Sequence, residues 1–429
     1  MNIRLAYGKH GLEIDLPAEW NVTVIEPEFV PGLSDPVAAL KDALENPLSA
    51  PPLHTLVDSN ARVGIVFSDI TRPSPSHLLL PAVLQELGHF PPENITMFNA
   101  LGTHRPNSEA ELRAMLGDAL VDEYRIVQNN AFDPSTQISL GMTSFGHEIW
   151  LNREFVECDL KILTGFNEPH LFAGFSGGGK AIMPGMAGQR TILGNHDAGM
   201  IANPNATWGV IQDNPIWQEM REIALKCGDL FLLNVTLNKN KQITGVFAGD
   251  LDVAHAAGCA FVRNTAMIPV PEAFDIVITT NSGYPLDLNL YQSVKGMSAA
   301  APVVRPGGAI IVAADCWDGI PEHGLYARLL REAGSPQALL EKVCAPGFLE
   351  QDQWQVQIQV QIQLKAEVYV RSGNLSDEQI RQALLTPCHS IENTIASLLN
   401  KYGSQASICV LPEGPQTIPY IQTERVTSN

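Results

Sequence analysis

Nearly unbroken runs of Val, Ile and Leu, each ending in a loop of polar or charged residues, recur along this chain and constrain its fold more than any other feature. ARVGIVFSDITRP (61–73) runs into Asp69 and Arg72, NITMFNALGTHRP (94–106) into Thr103, His104 and Arg105, and CDLKILTGFNEPH (158–170) into Asn167, Glu168 and His170. FDIVITTNSGYP (274–285) runs into Asn281 and Ser282, and GGAIIVAADCWDG (307–319) into Asp315 and Asp318; AEVYVRSG and ASICVLPEG follow near the end. Short apolar runs of this kind read as strands buried on both faces, the habit of parallel sheets. Helical periodicity lies between them, in SHLLLPAVLQELG (76–88) and in NSEAELRAMLGDAL (107–120), where Asn107 or Ser108 is the expected N-cap. Strand, loop and helix in alternation predict an α/β protein of two domains with mostly parallel sheets. Ligands of open α/β sheets gather beyond the carboxyl ends of the strands, and those ends are where the polar clusters sit.

Two stretches depart from the pattern. LFLLNVTLNKNKQITGVFAGD (230–250) reads as an antiparallel hairpin turning at Asn238–Lys241. WQVQIQVQIQLKAEVYV (354–370) alternates polar and apolar residues with a period of two, the mark of an amphipathic strand, yet Gln is a fair helix former and a surrounding helix could override the alternation. Both readings stay open. A boundary is expected near MIPVPEAFD (267–275), giving an N-terminal α/β domain over 1–270 and a smaller C-terminal α/β domain over 271–401. The tail, 402–429, is expected to pack back onto the first domain, and the active site to lie in the cleft between the two.

The 429 residues are 45% apolar and 17% charged, enough for full cores and unlike a disordered chain. A formal net charge of −19 disfavours nucleic acid and acidic membrane surfaces as partners. An anionic small molecule must therefore be caught by locally placed Arg or Lys. The seven cysteines are scattered singly with no C-x-x-C pair, which indicates neither a zinc ribbon nor a redox dithiol and suits reduced thiols in the cytoplasm. No apolar stretch approaches a membrane span, and the N-terminus has no apolar signal core.

The most informative segment is FNEPHLFAGFSGGGKAIMPGMAGQRTILGNH (166–196), which holds His170, a glycine cluster, Lys180 and His196. Consecutive glycines permit close backbone approach, and their N–H groups can form an anion-binding nest, with Lys180 beside the bound group. Gly174-x-x-x-x-Gly179-Lys180 also matches the first seven positions of a phosphate-binding P-loop, but Ala181 stands where a Ser or Thr would hold Mg²⁺. A P-loop phosphotransferase is thus the rival enzyme reading, a non-catalytic binding module the rival from another class, and a glycine-rich turn with a solvated lysine the plain one. Of 11 histidines, His10, His54, His77, His89, His147, His255, His323 and His389 have no polar cluster in the sequence to join and read as surface or satisfied core groups. His104, His170 and His196 differ, since each stands in a loop with other chemistry-bearing residues. Two imidazoles on opposite faces of a stereocentre can exchange the roles of acid and base, and a third can bind a metal. In NLYQSVKGMS (289–298), Gln292 and Lys295 share a helix face beside Tyr291 and could, with Arg72, grip a carboxylate; a solvated helix face is the alternative.

Taken together, the motifs resemble the lactate racemase family of nickel-pincer-dependent 2-hydroxyacid racemases and epimerases. The matching elements are Ser68-Asp69-x-x-Arg72-Pro73, Gly102-Thr103-His104-Arg105, Pro169-His170 with Phe172-Ala173-Gly174, Gly177-Gly178-Gly179-Lys180, Gly194-Asn195-His196 and Tyr291-Gln292-Ser293-Val294-Lys295-Gly296, in the family's order. The resemblance implies a nickel-pincer nucleotide, a pyridinium-3,5-bisthiocarboxylic acid mononucleotide carrying Ni(II), tethered through Lys180 with His196 as the protein's metal ligand. It implies His104 and His170 as alternating acid and base, and Arg72, Gln292, Lys295 and Tyr291 as the substrate-binding set. Asp69, Thr71 and Arg72 would lie against the cofactor, and Trp354 would pack on it. The implied reaction inverts C2 by proton-coupled hydride transfer through a 2-ketoacid, with separate maturation proteins supplying the cofactor. The substrate's side chain is not readable; Phe172, Tyr291 and Trp317 are candidate walls of its pocket.

Overall fold

The computed structural model describes residues 1–322 and 324–422; His323 and residues 423–429 lie outside the described residues. The chain forms two compact units: Phe29–His196 with Asn203–Arg263, and Met1–Glu28 with Asp197–Ala202 and the chain from Asn264 onward.

The first unit is built on a six-stranded sheet in the order Ile243–Gly249, Leu230–Leu237, Leu160–Phe166, Val63–Ser68, Ile95–Ala100, Arg125–Gln128. All neighbours are parallel except the first pair, the antiparallel hairpin expected from the sequence, whose turn places Lys241 at φ 60°. Every residue of the central strand Leu160–Phe166 is buried, as a strand covered on both faces must be. Ser76–Glu86 and Glu109–Leu116 are the expected helices, the second opened by a capping box between Ser108 and Glu111. Because Leu160–Phe166, Val63–Ser68 and Ile95–Ala100 are parallel neighbours, the loops holding Asp69, His104 and His170 all leave the same edge of the sheet.

The second unit has an all-parallel sheet in the order Thr386–Pro387, Glu367–Arg371, Val304–Ala313, Phe274–Thr280, Ile408–Leu411, Val22–Val24. Here the sequence-based domain limits need correction. The cut expected after residue 270 falls after Arg263, and the first 28 residues belong to this unit rather than to the N-terminal one. Val22–Val24 pairs with Ile408–Leu411, while Ile3, Leu5, Ile14 and Leu16 enter this unit's core. The tail is corrected too: Ile408–Leu411 lies inside the second sheet instead of returning to the first. A short apolar run reveals that it is a strand, not which sheet edge will accept it.

The glutamine-alternating stretch resolves as a helix, Gln353–Lys365, followed by the strand Glu367–Arg371. The helix is buried nearly all round, so its polar residues have no wet face to occupy; instead the amides reach backbone carbonyls. Gln355 donates to Tyr291 O at 2.5 Å, Gln357 to Ala198 O at 2.9 Å, Gln359 to Ala383 O at 2.8 Å, and Gln363 to Leu384 O.

Candidate active site

Asp69 follows the strand Val63–Ser68 directly and is 4% exposed. Its Oδ1 accepts from the Thr71 hydroxyl (2.7 Å) and backbone N–H (3.1 Å), and its Oδ2 lies 2.5 Å from His104 Nδ1. Burial alone would raise this carboxyl, but His104, then Arg72 and the Thr71 hydroxyl, hold it down at about 2. An ionised carboxylate only accepts. The His104 proton therefore sits on Nδ1, and in the neutral ring the lone pair is on Nε2. The turn carrying His104 is anchored by Gly102, at φ 55°, whose N–H donates to Gly185 O at 3.0 Å. The Arg105 guanidinium engages both oxygens of Glu111 at 2.7 and 2.9 Å.

Gly178–Ala181 is a single 3-10 turn, not the start of an α-helix, which removes the P-loop reading. Of the glycine N–H groups expected to form an anion nest, one is already engaged. The Gly178 N–H is taken by Asn234 Oδ1 at 2.8 Å, and a Cβ at Gly178 would come within 2.8 Å of the His255 ring. These glycines make room for neighbouring side chains. His255 itself is a buried, satisfied group, 3.0 Å from the Ser176 carbonyl through Nε2. The Gly185 N–H, donating to Lys180 O at 3.4 Å, joins this turn to the one that carries His104.

Lys180, His170 and His196 meet around one ring. Phe172 packs edge-on against His170 (centroids 4.6 Å apart) and against His196 (4.8 Å), and the Lys180 Nζ lies 5.9 Å from its centroid. His170 belongs to a two-residue strand, Pro169–His170, paired with Gly174–Phe175, and its Nδ1 accepts from the Ala173 N–H at 3.2 Å. That contact puts the proton of its neutral ring on Nε2. His196 ends the helix Gln189–Asn195 and is 4% exposed; its Nδ1 is 2.9 Å from Asn195 Oδ1. Burial, then the charge of Lys180, pushes the His196 ring down to about 3, so it is neutral across the working range.

Tyr291, Gln292 and Lys295 lie in the second unit, on the helix Leu290–Ala300, where all three are half-buried on one side. Asn289 caps this helix by accepting from the Gln292 N–H at 3.1 Å. Gly296 lets the helix close onto the carboxyl end of Phe274–Thr280: a Cβ there would sit 2.1 Å from Thr280 O. Trp354 is buried and its Nε1 donates to the Tyr291 hydroxyl at 3.1 Å. Trp317 is an exposed neighbour of Tyr284, with centroids 6.1 Å apart.

Residues 7–209 match the lactate racemase N-terminal domain family and residues 270–418 the lactate racemase C-terminal domain family. The chain is 36% identical to a lactate racemase of Thermoanaerobacterium thermosaccharolyticum, across 97% of this chain and 99% of that one. It belongs to the lactate racemase family. A second relative, a lactate racemase of Lactiplantibacillus plantarum, is 34% identical over 87% of this chain and 89% of its own length. The solved lactate racemase apoprotein of T. thermosaccharolyticum superposes with a TM-score of 0.91 over 98% of this chain and all of that one, at 34% identity. A Thermotoga maritima structure, 17% identical with a TM-score of 0.68 over 92% of this chain, shares the fold.

As a lactate racemase family member the chain is an isomerase, and its fold is the family's two α/β domains. Sequence reasoning missed the residues that support the site. Asn214 ties Phe172 O (2.9 Å) to Val210 O (2.8 Å), and Asn234 fastens the glycine turn. Glu219 was legible: on the helix Pro215–Leu225 it falls on the same face as Ile216, Met220 and Ile223, an acidic residue on an apolar stripe. His147 also departs from the isolated reading, with its Nδ1 2.9 Å from Glu219.

Proposed function

We propose that the protein inverts C2 of a 2-hydroxyacid, lactate or a larger relative, with the nickel-pincer nucleotide held through Lys180 and His196. The observation that carries this reading is the gathering of His170, His196 and Lys180 around Phe172, with the Asp69–His104 pair tied to the same glycine-lysine turn. The residues suit the group. His196 is neutral with its lone pair on Nε2, the form a metal binds. Among the described residues no three His, Cys, Asp or Glu are grouped to hold a metal ion. A nickel ion here would need most of its donors from a partner such as the sulfur arms of a pincer. When bound, the cofactor supplies an acceptor for the α-hydrogen as hydride, so that no carbanion need form beside the carboxylate.

The protein's own part is proton transfer and grip. His104 Nε2 takes the hydroxyl proton, and Asp69 steadies the resulting imidazolium. His170 offers Nε2–H to the same oxygen. To return a proton to the planar 2-ketoacid it must be doubly protonated, and its Nδ1 then gives up the Ala173 contact. Arg72, as a fork, and Lys295, as a point charge, would hold the carboxylate, with Gln292 and Tyr291 on the hydroxyl and chain. Asp69 and Thr71, and Trp354 braced by Tyr291, would pack on the cofactor. Separate maturation proteins would supply it. Seven unpaired cysteines, six of them buried, fit a reducing cytoplasm, and no described helix is long and apolar enough to cross a membrane.

The test is to mature the protein with cofactor and follow optical purity across a panel of chiral 2-hydroxyacids. Racemisation of at least one is expected; a loaded protein inert toward all of them overturns the reading. Lys180→Ala should lose the cofactor's mass increment in intact mass spectrometry, and His196→Ala should lose nickel. His104→Ala and His170→Ala should each stop racemisation with nickel retained.

A further inference from the structure

We propose that Glu219 is a positioning residue that, through Asn195, sets which nitrogen of the His196 ring carries the proton. The inference rests on the reading of His196 as the nickel ligand and deepens it.

Glu219 has no exposed surface, and its carboxylate is the hub of a small polar cluster. Its Oε1 accepts from the Thr143 hydroxyl at 2.5 Å and faces His147 Nδ1 at 2.9 Å. Its Oε2 accepts from Asn195 Nδ2 at 2.8 Å. His147 reaches this cluster only because position 194 is Gly, where a Cβ would lie 2.8 Å from the His147 ring. A buried carboxylate is costly to keep, and an apolar residue would fill the same stripe without that cost.

What the carboxylate does is orient an amide. Asn195 Nδ2 donates to Glu219 Oε2 and to Ile216 O, 3.2 Å away. Both neighbours only accept, so the amide cannot turn over. Its Oδ1 must then face His196 Nδ1, at 2.9 Å, and an acceptor there requires Nδ1–H. The neutral ring is left with its lone pair on Nε2. With the amide reversed, Nδ2 would face Nδ1, the proton would move to Nε2, and that nitrogen could not ligate. Outer partners of ligating histidines commonly act in this way, and losing one weakens metal binding about 10- to 100-fold.

Glu219→Gln tests this with little change of shape. The oxygen of the introduced amide keeps the present Thr143 and His147 contacts when it takes the place of Oε1, and its NH₂ then confronts Asn195 Nδ2; the reverse orientation would require both the Thr143 hydroxyl and the His147 ring to exchange donor for acceptor. The Asn195 amide must reverse or detach. ¹⁵N NMR of the imidazoles in the full chain without cofactor is expected to show His196 as the Nδ1–H form in wild type and shifted toward Nε2–H in E219Q. In E219Q/N195D the NH₂ introduced at position 219 can donate to the new carboxylate at position 195, while Ile216 O, which loses its donor, turns the carboxylate toward position 219 and the ring. That carboxylate again accepts from Nδ1–H, so the wild-type form should return. Thr143→Val removes a donor to Glu219 but leaves Asn195 anchored, and should not move the tautomer. In matured protein, E219Q should release nickel to a chelator at least about 10-fold faster than wild type. A folded E219Q that keeps the Nδ1–H form, or a double variant that fails to restore it, overturns the proposal. Should E219Q not fold, Asn195→Ala removes the side-chain acceptor and leaves only the Asn195 backbone to engage the ring; a mixture of tautomers supports the proposal, and a pure Nδ1–H form, held by the backbone alone, refutes it. The nickel reading fails separately, if His196→Ala retains nickel, because the tautomer arm uses no metal.

Discussion

Asp69 and His104 lie 35 positions apart in sequence, yet their 2.5 Å contact decides what the imidazole can do. Asp69→Asn keeps the shape but can present an amide N–H to Nδ1 and reverse the tautomer. We expect it to lower kcat by about 10²-fold, the range lost when a base is misprotonated, with KM much less changed in steady-state assays. Acid stability offers a second measurement. Asp69 is held at about 2 against an ordinary 3.8, so its stabilisation is complete above 3.8 and is lost as pH falls toward 2. His196 acts in a different window. Its folded ring is pushed down to about 3, whereas the unfolded ring gains its proton near 6.5, so acidification below 6.5 already favours unfolding. Urea titrations over pH 7 to 2 should show the upper loss vanish in His196→Gln and the lower one vanish in Asp69→Asn.

The helix Gln353–Lys365 shows how surroundings choose an element. Its period-two alternation fits a strand, but a strand would place all its glutamines on one face, while the helix spreads them around a buried cylinder where Gln355, Gln357, Gln359 and Gln363 reach carbonyls. Gln359 is satisfied at both ends, accepting from the Tyr326 hydroxyl at 2.5 Å and donating to Ala383 O. Gln359→Leu leaves both partners unpaired in the core and should cost about 2–4 kcal/mol in denaturant unfolding. Gln357 has an Oε1 with no hydrogen-bond partner, so Gln357→Leu should cost less than Gln359→Leu. Gly296→Ala strikes the helix Leu290–Ala300 differently. A Cβ 2.1 Å from Thr280 O must push the backbone away, and the helix carries Lys295 and Gln292 with it. A rise in KM together with a lower unfolding midpoint is expected, and an unchanged KM would remove the helix from the carboxylate grip.

Val22–Val24 and Ile408–Leu411 pair within the second unit, which is therefore closed by strands about 380 residues apart in sequence, a long loop but one whose entropic cost grows only slowly with length. Removing residues 1–28 takes away the edge strand Val22–Val24 and the antiparallel pair Asn2–Leu5 and Leu12–Asp15, and with them the core residues Leu5, Ile14 and Leu16. Hydrogen exchange should then show lost protection across Phe274–Thr280, Val304–Ala313 and Ile408–Leu411, with the sheet around Leu160–Phe166 still protected. Equal loss in both sheets would mean that the two units do not unfold separately.

The strands and the fold class were legible from the sequence, because doubly buried strands are written as apolar runs, and the candidate site residues were sought in the loops that end them. That rule names His104 and His170 as candidates, whereas Lys180 and His196, in a 3-10 turn and at a helix end, were marked out by the glycine-rich segment that holds them. Three matters were decided only in three dimensions. Strand partnership placed residues 1–28 and Ile408–Leu411 in the second sheet, because pairing depends on which sheet edge is open and not on the run itself. Packing made the glutamine segment a helix. Proton placement on His104, His170 and His196 was set by Asp69, by the Ala173 N–H and by Asn195 beside Glu219, since a tautomer belongs to the neighbours of a ring and no sequence pattern specifies it.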